Sequence, residues 1–354
     1  MVQSARPDLA SPYTIGSNGA MASITRISIV GDGAMATVCA FVLDANGHTV
    51  TMWGHNADHV EEMIQRGQNT RFLKDYPFPS TLRLTSGDDK IFDDAELVIS
   101  AVPCQHMRSV WMRLKPHVPA AVPIVSVAKG IENETLLRPT QILTDVVGQN
   151  PTAALSGPSI APELARCLPA TVVVASSDEE LAAVVQRIFT TDWFRIYTNS
   201  DVLGVELAGA GKNVIAIAAG IIDGLQAGDN AKAALLSRGL VELMRLGIAM
   251  GAQRETFFGL AGLGDLVTTC ISPVGRNRTV GEQIGKGRKL EEVLSNMESV
   301  AEGVATTRSI CALADRFEVQ MPITRAVWSV LFEDKDVIEA IGQLMQRPPK
   351  QESL

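Results

Sequence analysis

The sequence predicts an α/β protein: an N-terminal doubly wound, mostly parallel sheet followed by an all-helical C-terminal domain. Three observations carry this. From Arg26 to about Tyr197, short β-branched runs alternate with helix-length segments whose apolar residues recur every three or four positions. The turn after the first run is glycine-rich, and beyond "YTNSD" at 197–201 the strand-like runs stop. That order is a β-α-β series followed by a helical region.

The elements follow in turn. "RISIV", "HTVTMW", "ELVISAV", "PIVSVA", "AALSG" and "TVVVAS" are near-continuous apolar runs, as expected of strands covered on both faces. "ATVCAFVLDANG", "ADHVEEMIQRG", "QHMRSVWMRLK" and "DEELAAVVQRIF" are the intervening helices. Asn199 or Ser200 is placed to cap a long helix by accepting a backbone N–H. "AKAALLSRGLVELMRLGIAMG", "GVATTRSICALADRF" and "ITRAVWSVLFED" continue as helices, separated by Gly, Pro and Asn. The expected division is a mobile extension over residues 1–24, a dinucleotide-binding domain over 25–199, a helical substrate and catalytic domain over 200–347, and a tail over 348–354.

Composition narrows the classes of function. A chain of 354 residues exceeds one ordinary core, and 46% hydrophobic with 20% charged residues is globular. A net charge of −8 leaves no basic footprint for nucleic acid or an anionic membrane. The longest purely apolar runs, such as "VIAIAAGII", are about half the roughly 20 residues a membrane helix needs, so no membrane insertion is expected. Cys39, Cys104, Cys167, Cys270 and Cys311 are far apart and odd in number, which indicates neither a disulfide framework nor a zinc site and fits a reducing compartment; no metal is expected. The first residues lack the basic and apolar regions of a signal peptide.

"ISIVGDGAMATVCAF" sets Gly31-x-Gly33-x-x-Ala36 between a strand and an amphipathic helix, a Rossmann-like arrangement. The first glycine permits the turn, the second admits a pyrophosphate to the backbone amides, and Ala36 permits close packing. NAD-selective sites carry Asp or Glu about 20 residues onward to bond the ribose 2′-hydroxyl. The second strand instead ends in "MWGHN", so NADP should be tolerated, with His55 either a partner for its phosphate or a surface residue.

Within "LAGAGKNVIAIAAGII" Lys212 has two readings: an ammonium snorkelling out of a packed helix, or one facing a cleft where low dielectric lowers its pKa for proton transfer. Helix pattern leaves both open. "AGLGDLVTTC" sets Asp265 in a Gly-rich bend, and "SPVGRNRTVG" sets Arg276, Asn277 and Arg278 in a polar loop, where an arginine fork suits a phosphate dianion. "SVAKGIENE" and "LSGPSIAPE" place Lys129, Gly157, Ser159 and Ala161 past strand ends, where open α/β sheets bind ligands.

Taken in order, "GDGAMA", "MWGHN", "AVPCQ", "VAKGIE", "SGPSIAPEL", "GAGKNVIAIAAGI", "NAKAALLSRGL", "GLAGLGDLVTTC", "GRNRTVG", "VAEGV" and "EVQMPIT" resemble the NAD(P)-dependent glycerol-3-phosphate dehydrogenase family of the bacterial type, from about Arg26 to about Arg347. The resemblance implies reversible reduction of dihydroxyacetone phosphate to sn-glycerol 3-phosphate, the glycerophospholipid precursor, by a cytoplasmic homodimer using NAD or NADP. It implies that Lys212 is the proton acceptor. Lys129, Gly157, Ser159, Asp265, Arg276 and Asn277 match family substrate positions, with Lys129 and Asp265 assisting catalysis. Ala34, Met35, His55, Lys129, Ala161, Arg276, Val300 and Glu302 match positions lining the cofactor.

Three places depart from the family pattern. Ala34, Met35 and Ala36 replace Ser-aromatic-Gly, Gly211 replaces a larger residue, and Gly275 replaces Ser. Two other readings fit the residues: another lysine-dependent two-domain dehydrogenase, of the β-hydroxyacid dehydrogenase or ketopantoate reductase type, and a non-catalytic NAD(P)H-binding regulator.

Overall fold

The computed structural model describes residues 24–297, 300–349 and 351–352. The mobile extension expected over residues 1–24 lies outside them except for Ile24, as do residues 350, 353 and 354 of the expected tail. Among the described residues ten strands form: β1 (Arg26–Val30), β2 (Thr49–Trp53), β3 (Gln68–Asn69), β4 (Leu73–Pro77), β5 (Arg83–Thr85), β6 (Leu97–Ser100), β7 (Ile124–Ser126), β8 (Thr152–Ser156), β9 (Ala170–Ala175) and β10 (Phe194–Asn199). Among them run helices α1 (Ala34–Ala45), α2 (Ala57–Arg66), α3 (Cys104–Leu114), α4 (Pro139–Val147), α5 (Ala161–Leu164) and α6 (Glu179–Phe189).

The main sheet has the order β10-β9-β8-β7-β6-β1-β2-β5, so the chain leaves β1 on one side and returns on the other at β6. Ligands of such sheets bind at this switch point. Neighbours pair in parallel except β8 with β9, which sets β9 and β10 against the rest. The mostly parallel sheet expected from the runs is borne out. Not foreseen were the reversal, β10 as a strand of its own, β5, and the antiparallel hairpin β3–β4. Alternation along β1 sends Ile27 and Ile29 to the side of α1 and α6, and Val30 to the side of α3 and α4, so each face has its own core.

After β10 the chain is helical: α7 (Val202–Gly224), α8 (Asp229–Met250), α9 (Arg254–Phe258), α10 (Asp265–Ile271), α11 (Arg276–Gly285), α12 (Leu290–Ser295), α13 (Glu302–Arg316), α14 (Pro322–Phe332) and α15 (Val337–Met345). The cap of α7 is Asp201, not Asn199 or Ser200. Asp201 Oδ1 accepts from Gly204 N at 2.8 Å, and the Asn199 amide oxygen takes the Asp201 N–H at 2.7 Å. With 23 residues, α7 is long and apolar enough to cross a membrane, yet its whole apolar window is buried inside the protein. It is the axle of the helical half.

Small residues decide how close its neighbours come. A Cβ on Gly281 of α11 would overlap the Ile217 carbonyl of α7, and one on Gly220 of α7 would overlap the Arg278 carbonyl. Gly224 and Gly285 meet the opposite backbone in the same way. Four glycines at four-residue spacing thus bring two main chains into contact.

Candidate active site

Lys212 sits midway along α7 and is only 6% exposed, so its ammonium does not snorkel to solvent. Nζ donates to Thr269 Oγ1 at 2.8 Å and to Asp265 Oδ1. The other oxygen, Asp265 Oδ2, accepts from Lys129 Nζ at 2.7 Å. Lys129 also donates to the Gly157 carbonyl at 2.8 Å and to Ser159 Oγ at 3.3 Å. One carboxylate, 2% exposed, therefore serves two ammonium groups.

Backbone geometry fixes these groups. A wide π turn over Leu260–Gly264 delivers Asp265 to the first position of α10, and such turns recur at functional sites. Lys129 follows β7, and Gly157 follows β8 with φ at +131°, a conformation that favours glycine and turns its carbonyl to Lys129. Burial lowers the Lys212 pKa to about 8; the Asp265 charge opposes this and the Lys129 charge adds to it.

Gly211 makes room for the neighbouring helix. Its missing side chain is replaced by Leu243 of α8, whose Cδ2 a Cβ there would overlap, and the contacts of Lys212 to Asp265 and Thr269 stand. The departure is an exchange of volume between two helices.

A second group lies at the start of α11 and α13. Arg276 opens α11, a helix where the sequence suggested a polar loop, and its Nη1 donates to the Val300 carbonyl at 3.0 Å. Asn277 is buried and its Oδ1 accepts from Gly303 N at 2.9 Å; among the described residues its Nδ2 donates to none. Arg278 turns away to Asp223 of α7, with Nε 2.7 Å from Oδ2. Glu302 accepts the Cys104 N–H at 3.0 Å, which joins the first turns of α13 and α3. Burial holds its carboxyl above the usual range, against the Cys104 amide and the nearby charges of Arg276, Lys129 and Lys212.

The glycine-rich turn lies at the switch point. Gly31 has φ at +120°, and a Cβ there would sit 2.7 Å from the Ala101 carbonyl past β6, so only glycine fits. Space in front of Gly33 is open, and α1 begins there with no side-chain cap, leaving its first N–H groups for an anion. These features fit a dinucleotide pyrophosphate. Ala34 and Met35 are half-buried in the first turn of α1, and Ala36 packs into the core. His55 is exposed past β2, and Ala161 opens α5.

Lys129, Gly157, Ser159, Lys212 and Asp265 are thus in direct contact, and Arg276, Asn277, Val300 and Glu302 form the adjoining group. A line of contacts from Gly31 to Ala101 and from Cys104 to Glu302 joins the glycine-rich turn to that group. Three residues were not singled out in the sequence: Thr269, Asn213, whose Nδ2 donates to the Lys129 carbonyl at 3.3 Å, and Asn69. Asn69, fully buried in β3, donates to the Asp32 carbonyl at 2.8 Å and to Thr37 Oγ1 at 2.9 Å, which clamps the glycine-rich turn. Thr269 and Asn213 are signalled only as polar residues inside the Asp265 and Lys212 motifs, and Asn69 lies in no motif at all.

Comparison with known proteins identifies the family of the chain. Residues 26–182 match the family described as NAD-dependent glycerol-3-phosphate dehydrogenase N-terminus, and residues 201–342 match its C-terminus. A glycerol-3-phosphate dehydrogenase [NAD(P)+] of Syntrophotalea carbinolica is 45% identical over 92% of this chain and 99% of its own length. One of Staphylococcus haemolyticus is 42% identical over 93% of this chain and all of its own. The crystal structure of glycerol-3-phosphate dehydrogenase from Coxiella burnetii superposes with a TM-score of 0.89 at 38% identity, covering 92% of this chain and 100% of that one. A ketopantoate reductase of Ralstonia eutropha reaches a TM-score of 0.54 at 15% identity, a likeness of fold alone.

Proposed function

The chain belongs to the NAD-dependent glycerol-3-phosphate dehydrogenase family, and on that premise we propose that Lys212 moves the proton in its reaction. The protein is an oxidoreductase that reduces dihydroxyacetone phosphate to glycerol 3-phosphate with NAD(P)H. A dinucleotide held by the glycine-rich turn at Gly31 and Gly33 and by the first N–H groups of α1 would supply the hydride to the ketone carbon, or take it back in reverse. As that carbon is reduced its oxygen gains negative charge, and the Lys212 ammonium stabilises the oxygen and protonates it. In reverse, the neutral amine takes the alcohol proton. Lys129 is the second cation beside the reacting oxygen, and Asp265 aims both. Arg276 and the free Nδ2 of Asn277 hold the phosphate, so that its binding energy positions the distant carbonyl.

The observation that carries this reading is the single carboxylate shared by Lys212 and Lys129, with Lys212 brought to about 8 by burial. The test is oxidation of NADH and NADPH with dihydroxyacetone phosphate and with unphosphorylated dihydroxyacetone. Only the phosphorylated ketone should be reduced efficiently; equal use of both removes the phosphate assignment. Arg276→Ala should raise the KM for the phosphorylated ketone by at least about tenfold with a smaller change in kcat, as loss of a charge-assisted contact predicts. An unchanged KM would place the phosphate elsewhere.

The pKa of Lys212 fixes the sign of the pH dependence. Oxidation needs the neutral amine, so its kcat should rise with pH through a limb near 8, and reduction needs the ammonium, so its kcat should fall through the same limb. Profiles measured in both directions that tilt the same way would contradict the role. The same reading proposes a cytoplasmic homodimer that supplies the glycerophospholipid precursor, with the sheet-bearing domain over residues 25–199 holding the dinucleotide and the helical domain over 200–347 completing the site.

A further inference from the structure

We propose that Asp32, inside the glycine-rich turn, reads the adenosine ribose and makes this enzyme select NAD(H) over NADP(H). The inference rests on dinucleotide binding at the β1–α1 turn. In doubly wound sheets the ribose 2′-hydroxyl is read by an acid at the end of the second strand, and an arginine nearby accommodates a 2′-phosphate. Here β2 ends at Trp53 and continues as Gly54, His55 and Asn56, with no acid.

The position is nevertheless occupied by a carboxylate. A Cβ built on Gly54 would lie 2.6 Å from Asp32 Oδ2 and 3.1 Å from its Cγ. The acid group of the turn therefore stands against the backbone from which the usual side chain would grow. Gly54 makes the room that Asp32 fills, so the two residues act together. Neither signals this alone: one is the variable residue of a Gly-x-Gly turn and the other a bare strand end.

The group is held and it is available. Asn69 binds the Asp32 carbonyl at 2.8 Å and Thr37 Oγ1 at 2.9 Å, so the turn does not swing. Asp32 is half-buried, and among the described residues its carboxylate accepts no hydrogen bond and joins no ion pair. The guanidinium packed on Trp53 at the end of β2 is engaged elsewhere. Arg113 lies over the Trp53 ring, 5.2 Å from its centroid, and its Nε and Nη2 are committed to Asp88 at 2.6 and 2.8 Å. A ribose hydroxyl thus meets an acceptor, while a 2′-phosphate meets a like charge. On this proposal a residue of the preceding turn, rather than the strand end, sets the preference between the two cofactors.

The test is equilibrium binding of NADH and NADPH, followed by nicotinamide fluorescence without substrate, for the full chain and for Asp32→Asn and His55→Ala. The parent protein should bind NADH at least about tenfold more tightly, since like charges set against each other disfavour the phosphorylated cofactor. Asp32→Asn should close most of that gap by strengthening NADPH binding, and His55→Ala should leave the ratio in place. A parent protein that binds both equally, or NADPH better, overturns the proposal whatever the variants do. So does a ratio that follows His55 rather than Asp32. Binding of neither dinucleotide removes the underlying dinucleotide reading together with this inference.

Discussion

Lys212→Ala should lower kcat by about 10²- to 10⁴-fold in both directions, the usual worth of a positioned acid-base group. NADH binding should stay near the parent value. The amine is enclosed by Asp265 and Thr269 and does not belong to the glycine-rich turn, so its removal strips proton transfer without touching the dinucleotide cradle. Steady-state kinetics paired with a binding titration separates the two effects. A variant that keeps more than about a tenth of the parent kcat would show that another group moves the proton.

Asp265→Ala should be the most damaging single change to both stability and rate. It leaves two ammonium groups without their shared counter-charge, one of them almost fully enclosed. Removing one partner of a buried ion pair costs about 3–5 kcal/mol, which calorimetric unfolding will register. Asp265→Asn keeps the volume and discards the charge. Because the Asp265 charge holds the Lys212 pKa up against desolvation, the Asn variant should move the oxidation limb to lower pH. A limb that stays near 8 in that variant would mean that the carboxylate does not tune the lysine.

What the sequence made legible was whatever repeats along the chain. Strand and helix rhythms located the six runs and the helical half, since burial on both faces and on one stripe leaves a periodic trace. The glycine-rich turn was legible because Gly31 answers to a local conformation. The site was legible as separate motifs; that Lys129 and Lys212 share Asp265 was not, since these residues lie far apart in sequence. Contacts across elements have no period. Leu243 filling the space at Gly211, Asn69 clamping the turn, and Asp32 standing against Gly54 all belong to that class. The reversal at β9 was hidden for a related reason: an apolar run reads the same in either direction.

The glycine crossing of α7 and α11 bears on which ligands the enzyme accepts. Lys212 belongs to one helix, and the proposed phosphate anchors Arg276 and Asn277 begin the other, so the frame from which proton donor and anion seat reach the substrate is set by main-chain atoms in contact. The spacing of the two helices is then a property of the backbone, set by the residues that have no side chain.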